Sequence, residues 1–178
     1  MTYKTQKNKI IFRRIWLAVV VLLLSVVQNG QGLFPQIFGA RALILIPTVV
    51  AIAMYERDIA GMFFGLFAGA LWDIFAGGNN FNAIFLFVIG FACGSLINTL
   101  MRNNIVTHFL LSSVTSFLYI LGYWLYHYVF INMDKAALML IKYFVPTAIY
   151  TIILSPVIFL IIRAIERKFR VDEFANLQ

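Results

Sequence analysis

Cysteine, histidine and charged side chains are all scarce in this chain. Its 178 residues include one cysteine and two histidines, and 12% are charged, whereas soluble domains carry roughly a quarter charged residues. The single Cys93 excludes an intramolecular disulfide and a cysteine-based metal site. Apolar residues make up 62% of the chain and aromatic residues 16%, with a mean hydropathy of +0.91. This composition excludes an ordinary soluble domain and a disordered chain, and it indicates a small polytopic membrane protein.

Apolar runs separated by short polar clusters predict an all-α polytopic membrane protein with six transmembrane helices. A helix needs about 20 residues to cross roughly 30 Å of hydrocarbon, so six spans leave no room for a soluble catalytic or nucleic-acid-binding domain. We expect a basic cytoplasmic N-terminal segment at 1–14, a transmembrane domain at 15–162 and a basic cytoplasmic tail at 163–178. The predicted spans are 15–34, 37–55, 59–77, 81–101, 105–131 and 136–162.

The distribution of positive charge predicts the orientation of these spans. With both termini in the cytoplasm, only three of the 14 Lys and Arg residues, namely Arg41, Lys135 and Lys142, lie on the outer side. An excess of basic residues in cytoplasmic segments is typical of membrane proteins, so the pattern favours an N-in, C-in topology. Most of the basic residues behind the net charge of +7 flank the predicted spans, which favours contact with anionic lipid over nucleic acid.

The third predicted span carries a stripe of small residues that ends in an acid. Gly61, Gly65, Gly69 and Asp73 recur every four residues and therefore share one face of a helix. Such a stripe lets another helix approach closely, which predicts a groove either for a partner helix or for packing within the chain. An acid inside a span is costly in lipid, so Asp73 is expected to have a function or to cap the following turn.

Several polar residues are assigned to the outer half of the bundle with Asp73. We expect them to form an outer polar cluster, with an ion pair from Asp73 to Lys142 or to Arg41 motivated by their shared depth. The other members of this cluster are Asn82 and His127.

Catalytic and metal-binding patterns are not evident in the sequence. His108 and His127 are separated by about 28 Å along a straight helix and cannot share an active site. Nucleophile, zinc and phosphate-loop motifs are also missing. The prediction is therefore a protein that is not an enzyme and that needs no cofactor or metal.

The end of the chain continues as a basic helix face. Arg163, Arg167 and Arg170 share that face and are expected to contact anionic lipid or to dock a cytoplasmic protein.

At two stretches the sequence resembles the MreD family of bacterial rod shape-determining proteins. The first runs from Gly65 to Asn82, with the acid of LWDIF ending a span, then Gly77 and Gly78, and then the pair Asn82-Ala83. The second is KYFVPTAIYTIILSPVIFLIIRAIERKF at 142–169, with an early proline and a basic exit. The resemblance implies a fold similar to the substrate-binding subunits of energy-coupling-factor transporters.

The same resemblance implies a function in the cell-elongation machinery of the bacterial cytoplasmic membrane. The chain would be a non-enzymatic scaffold that binds a bitopic MreC-like protein and helps to regulate peptidoglycan synthesis and rod cell shape. Its further partners would be the synthase RodA, a class B penicillin-binding protein and the MreB cytoskeleton. Under this reading Gly61, Gly65 and Gly69 form the groove for the partner helix.

Two other classes of protein remain as alternatives. A substrate-binding subunit of a vitamin-type transporter would bind a ligand in the outer polar cluster with Trp72, Trp124 and Tyr128. Its usual Ala-xxx-Ala docking face is missing from the first span, where Ala18 is the only alanine. An ion channel would need a longer polar path than the short stretch 112–116 provides.

Overall fold

The computed structural model describes residues 3–30, 32, 35, 40–77, 81–129 and 136–169, and most of these are helical. Leu125–Val129 extends the fourth helix as a π-helical turn, and a second π-helical turn at Leu140–Phe144 joins the fifth helix to the sixth. The α-helices are α1 (Tyr3–Asn29), α2 (Leu45–Phe75), α3 (Asn82–Thr99), α4 (Ile105–Trp124), α5 (Ala136–Met139) and α6 (Val145–Lys168).

In the described part of the chain, five helical stretches are long and apolar enough to cross a membrane. The all-helical architecture and the character of a membrane protein therefore agree with the sequence-based prediction. The count differs from the six predicted spans because α2 covers both the second and the third of them. The five stretches are Asn8–Asn29, Leu45–Phe75, Asn82–Thr99, Ile105–His127 and Ala137–Lys168.

Helix α2 is not straight, because the chain reverses at Arg57. That residue has φ 68° and ψ −168°, which lies far outside helical geometry. A Cβ atom built on Gly61 would lie 2.7 Å from the Cβ of Ala53, although residues eight apart in a continuous helix are about 12 Å apart. The segments 45–56 and 58–75 therefore double back on each other. We call them α2a and α2b.

Segment α2a lies at the centre of the bundle. Every residue from Leu45 to Met54 is buried, so this helix is enclosed on all sides by other parts of the chain. Its sequence, LIPTVVAIAM, is apolar all round rather than on one face, which is the pattern of a fully buried helix.

The chain just before α2a lies outside the helix, and two backbone donors at this entry are satisfied by side chains. The backbone N–H of Leu43 donates to Oγ1 of Thr151 at 2.9 Å, and that of Leu45 donates to Oε1 of Gln28 at 2.8 Å. Non-helical backbone at membrane depth is tolerated only where it is buried and paired in this way. The predicted helix start at residue 37 is therefore wrong, and Arg41 precedes the helix instead of lying one turn inside it.

The first and last helices also differ in length from the predicted spans. Helix α1 begins at Tyr3, inside the predicted basic segment 1–14, and ends at Asn29, five residues before the predicted end. Helix α6 runs on to Lys168, six residues into the predicted tail. Helical hydrogen bonding therefore continues past the apolar runs into the basic flanks.

The bundle has two chemically different ends. Arg13 and Arg14 of α1 meet Glu56 beside the reversal at Arg57, and the last turns of α6 reach the same place through Glu166. Asn103, between α3 and α4, donates to the carbonyl of Met54 at 2.9 Å and so belongs to this end too. We call it the basic end. The opposite end, where Asp73 meets the start of α3, is called the pocket end.

Candidate functional site

The glycine stripe packs against α3 of the same chain. A Cβ on Gly65 would collide with the backbone carbonyl of Leu86, and one on Gly69 would collide with the backbone of Ala83. A Cβ on Gly61 would lie 2.8 Å from the carbonyl oxygen of Gly90. The groove is thus filled by α3, so it is not free for the partner helix that the sequence analysis expects there. The intramolecular alternative is the one that the structure shows.

Asp73 caps the N-terminus of α3. Its Oδ2 accepts the backbone N–H of Ala83 at 2.9 Å, and its Oδ1 accepts that of Asn82 at 3.3 Å. The first N–H groups of a helix have no partner within the helix. A carboxylate accepts hydrogen bonds from them and also interacts favourably with the positive end of the helix dipole. Of the two roles expected for Asp73, capping of the turn is the one present in this structure.

The predicted ion pair between Asp73 and Lys142 is absent from the described residues. The Lys142 side chain is exposed, and its ammonium lies 5.5 Å from the ring centroid of its neighbour Tyr143. The expected pairing fails because Asp73 turns inward to the start of α3. The alternative pair with Arg41 stays a prediction.

A pocket of about 320 Å³ opens at the pocket end between α2b, α3, α4 and α6. Its volume falls at the lower limit of the usual range for small-molecule sites. Arg41 and Asn82 from the expected outer cluster line it, whereas Asp73, His127 and Lys142 do not. The side chains that form most of the remaining wall are Trp72, Tyr119, Ile120, Tyr123, Tyr143, Phe144 and Thr147.

Asn82 is the buried polar residue of this pocket. It is 1% exposed, and its Oδ1 accepts a hydrogen bond from the Tyr119 hydroxyl at 2.6 Å. The Tyr119 ring packs on Trp72 with centroids 5.2 Å apart and on Phe85 at 5.1 Å. The first residue of α3 is therefore fixed by its backbone to Asp73 and by its side chain to α4.

His127 lies on the π-helical turn after α4 and packs against its aromatic neighbours. Its ring stacks on Tyr123, with centroids 4.1 Å apart and planes 17° apart, and it meets Tyr126 edge-on at 4.9 Å. Its Nδ1 is buried without a hydrogen-bond partner among the described residues. Of the aromatic residues that the transporter alternative names, Trp72 lines the pocket, and the side chain of Tyr128 lies outside the described residues.

The basic end contains a cluster of four charges that sequence reasoning missed. Glu56 is buried and pairs with Arg13 at 2.5 Å and with Arg14 at 2.8 Å, and Arg13 also lies 3.4 Å from Glu166. The two arginines and two glutamates cancel in formal charge and connect α1, α2a and α6. In the sequence the two glutamates are more than 100 residues apart, and no short motif links them.

A second missed feature is the environment of His108. This side chain is fully buried, its Nε2 lies 3.0 Å from the carbonyl of Pro47, and its Nδ1 lies 3.2 Å from Oγ of Ser155. A proton on Nε2 satisfies both contacts, with the ring donating to the carbonyl and accepting from the serine. His108 therefore links α2a, α4 and α6.

The predicted basic face of the C-terminal segment is described in part. Arg163 and Arg167 lie on α6, where the Arg163 guanidinium is 6.0 Å from the ring centroid of Phe159 and Arg167 is exposed. Arg170 lies outside the described residues. Among those residues, no three His, Cys, Asp or Glu side chains come close enough together to hold a metal ion.

Comparison of the chain with protein-family models, with curated proteins and with solved structures finds no significant match.

Proposed function

We propose that this chain is a non-enzymatic membrane scaffold of the MreD type, acting in bacterial cell elongation. Its partners would be an MreC-like bitopic protein, RodA with a class B penicillin-binding protein, the MreB cytoskeleton and anionic lipid. In that role the bundle is a rigid support whose surfaces position single-span and multi-span partners in the cytoplasmic membrane.

One observation carries the proposal: the residues behind the family resemblance form a single helix joint. Gly65 and Gly69 allow α2b to pack directly on α3, and Asp73 then caps the first turn of α3 through Asn82 and Ala83. The residues of this joint define shape rather than chemistry. A scaffold needs a fixed shape, which is why the joint supports this function.

Two other side chains of types that often act in acid–base catalysis, His108 and Glu56, also have structural contacts. His108 is held between the Pro47 carbonyl and Ser155, and Glu56 is held between two arginines. Each of these groups satisfies a buried backbone or charged partner, and such pairing is what burial requires. They support the bundle without facing the pocket.

The proposal includes six crossings with both termini in the cytoplasm. Support comes from the reversal at Arg57, which divides α2 into two antiparallel segments, and from the arginines of α1 and α6 that gather at one end. Segment α2a contributes about 18 Å, and residues 40–44, which precede the helix, lengthen this crossing toward the hydrocarbon thickness. The positive-inside rule then assigns the basic end to the cytoplasm.

Affinity purification of the full chain from its native cells in mild detergent tests the scaffold function. Mass spectrometry should find an MreC-like bitopic protein together with cell-wall synthases, and an unrelated six-span protein purified in parallel should not retain them. Recovery of an ATPase module without these partners would contradict the scaffold and favour the transporter alternative.

Cysteine labelling in intact cells tests the orientation separately. Cys93 is buried, so the wild-type chain provides a quiet background for a membrane-impermeant maleimide. Lys142 and Arg102 are both exposed, at opposite ends of the bundle. Lys142→Cys should react from outside and Arg102→Cys only after permeabilisation. The reverse pattern would contradict the N-in, C-in topology.

A further inference from the structure

A second pocket, of about 410 Å³, opens at the basic end between α1 and the start of α2b. We call it the basic-end pocket. Its wall carries both signs of charge, because cationic and acidic side chains line it together. These side chains are Arg13, Arg14, Glu56, Arg57 and Asp58. Such a wall is complementary to a ligand that itself carries both signs of charge, rather than to a simple anion or cation.

The charges of this wall are not equally available to an occupant. Arg13 and Glu56 belong to the neutral cluster of four charges, so they are largely compensated. Arg14 is half exposed and meets Glu56 through Nε, so its terminal amino groups have no ion-pair partner among the described residues. Arg57 is exposed and Asp58 is partly exposed, and neither forms an ion pair with a described residue. Two guanidinium groups and one carboxylate can therefore take a further partner.

An apolar groove continues from this pocket along α1 and α2b. It has a volume of about 160 Å³ and is lined by Ala18, Phe63, Phe64 and Phe67. We call it the α1/α2b groove. Phe63 also lines the basic-end pocket, and Ala18 follows Arg14 by four residues, or about 6 Å, on one face of α1. Since both helices run from the basic end into the bundle, the site changes from charged to apolar with increasing depth.

The succession of a charged pocket and an apolar groove matches the two parts of a phospholipid. A soluble ion would match only the pocket, and an apolar partner helix would match only the groove. A lipid matches both, because its charged headgroup and its acyl chains are joined at the depth where pocket and groove meet. Phe63 is 60% exposed, so this meeting point is open to the surrounding membrane.

We propose that the basic-end pocket and the α1/α2b groove together bind a phospholipid whose headgroup carries a phosphate and a primary ammonium, as in phosphatidylethanolamine. The phosphate lies at the guanidinium groups of Arg14 and Arg57. The ammonium lies at the Asp58 carboxylate, and an acyl chain follows Phe63 and Phe67. Both polar contacts are charge-assisted hydrogen bonds. The site differs from the basic face of α6, for which anionic lipid is proposed, and its place in the inner leaflet rests on the proposed N-in, C-in topology.

Native mass spectrometry of the full chain in mild detergent measures this binding with dioleoyl lipids that differ only in the headgroup. Phosphatidylcholine replaces the N–H donors of the ammonium with methyl groups, and phosphatidylglycerol has no ammonium. Phosphatidylethanolamine should bind at least about threefold more tightly than either, the factor expected for one partly exposed charge pair. Equal or weaker binding would overturn the proposal. Because binding in detergent requires neither protein partners nor an orientation, this result is independent of the scaffold function.

Two substitutions test the headgroup contacts without touching the buried ion pairs. Asp58→Asn removes the charge that attracts the ammonium, so the preference over phosphatidylglycerol should disappear. Arg57→Gln should weaken the binding of phosphatidylethanolamine at least about threefold. Arg102→Gln removes another exposed cation at the same end and should leave the binding unchanged. An unchanged preference in Asp58→Asn, or equal effects of the two arginine variants, would overturn the proposal.

Two tryptophan variants test the groove. Ala18→Trp fills it and should weaken the binding of phosphatidylethanolamine at least about threefold. Val19→Trp places the same side chain on the exposed face of α1 and should leave the binding unchanged. Equal affinities in the two variants would overturn the proposal.

Photo-cross-linking in native cells identifies the occupant of the groove. With p-benzoylphenylalanine in place of Phe67, the expected adduct is a phospholipid. A protein adduct at this position would assign the groove to a partner helix and overturn the lipid site.

Discussion

Replacing Glu56 with Gln should destabilise the bundle more than any comparable change of charge. The Glu56 side chain is 1% exposed and pairs with both Arg13 and Arg14. The substitution keeps the shape of the side chain but removes one negative charge from a neutral group of four. Arg13 would then stay largely buried, with only the longer contact to Glu166 at 3.4 Å.

The size of the effect follows from the burial of the pair. Removing one partner of a buried ion pair typically costs about 3 to 5 kcal/mol, because the remaining charge is left desolvated without compensation. The half-exposed Arg14 reduces the cost, since water screens its charge, so we expect about 3 kcal/mol. For a protein of this length that corresponds to a decrease in Tm of about 6 to 12 °C.

Thermal unfolding in one fixed detergent measures the difference. Asp58→Asn is the matched control, because it makes the same chemical change two residues later and Asp58 forms no ion pair with a described residue. The double variant Arg13→Gln, Glu56→Gln restores neutrality and should be more stable than Glu56→Gln alone. Equal decreases in Tm for Glu56→Gln and Asp58→Asn would show that the buried ion pair does not stabilise the bundle.

The same unfolding assay checks three further predictions. Gly65→Ala should lower the free energy of unfolding by about 1 to 3 kcal/mol, because its Cβ meets the α3 backbone. Gly122→Ala, where a Cβ meets open space, should be neutral or stabilising. Similar losses in both variants would contradict close packing of α2b on α3. Asp73→Ala should cost about 1 to 2 kcal/mol through the lost cap, and no change would contradict capping. Arg57→Gly should raise the free energy of unfolding by about 1 kcal/mol, because glycine adopts φ 68° without strain. Arg102→Gly should give no such increase. A lower free energy of unfolding for Arg57→Gly would contradict backbone strain at this position.

Much of the architecture is predictable because hydrophobic length is a local property of the sequence. The charged triplet at 56–58 divides two apolar runs, and the structure reverses there at Arg57. The triplet contains no glycine or proline, so the left-handed conformation of Arg57 has no local signal. Likewise, residues 40–44 are apolar except for Arg41, and only the side-chain partners Gln28 and Thr151 show why a helix is not needed there.

The candidate site is predictable in its members but not in their pairing. Shared depth suggests that Arg41 and Asn82 lie near each other, since depth follows from position along a span, and both line the pocket. It does not determine which way a side chain turns. Asp73 faces the start of α3 because uncapped N–H groups lie there, and Lys142 extends to the surface because its long stem can reach polar surroundings.

The two ends of the bundle satisfy buried polar groups in different ways, and this difference separates their roles. At the basic end two arginines and two glutamates neutralise one another, so the buried charges there are paired by the chain's own side chains. At the pocket end Asn82 accepts from the Tyr119 hydroxyl, and aromatic side chains and irregular backbone leave a pocket open beside it. Changes at the basic end should therefore alter stability first, whereas filling the pocket should have little effect on the fold.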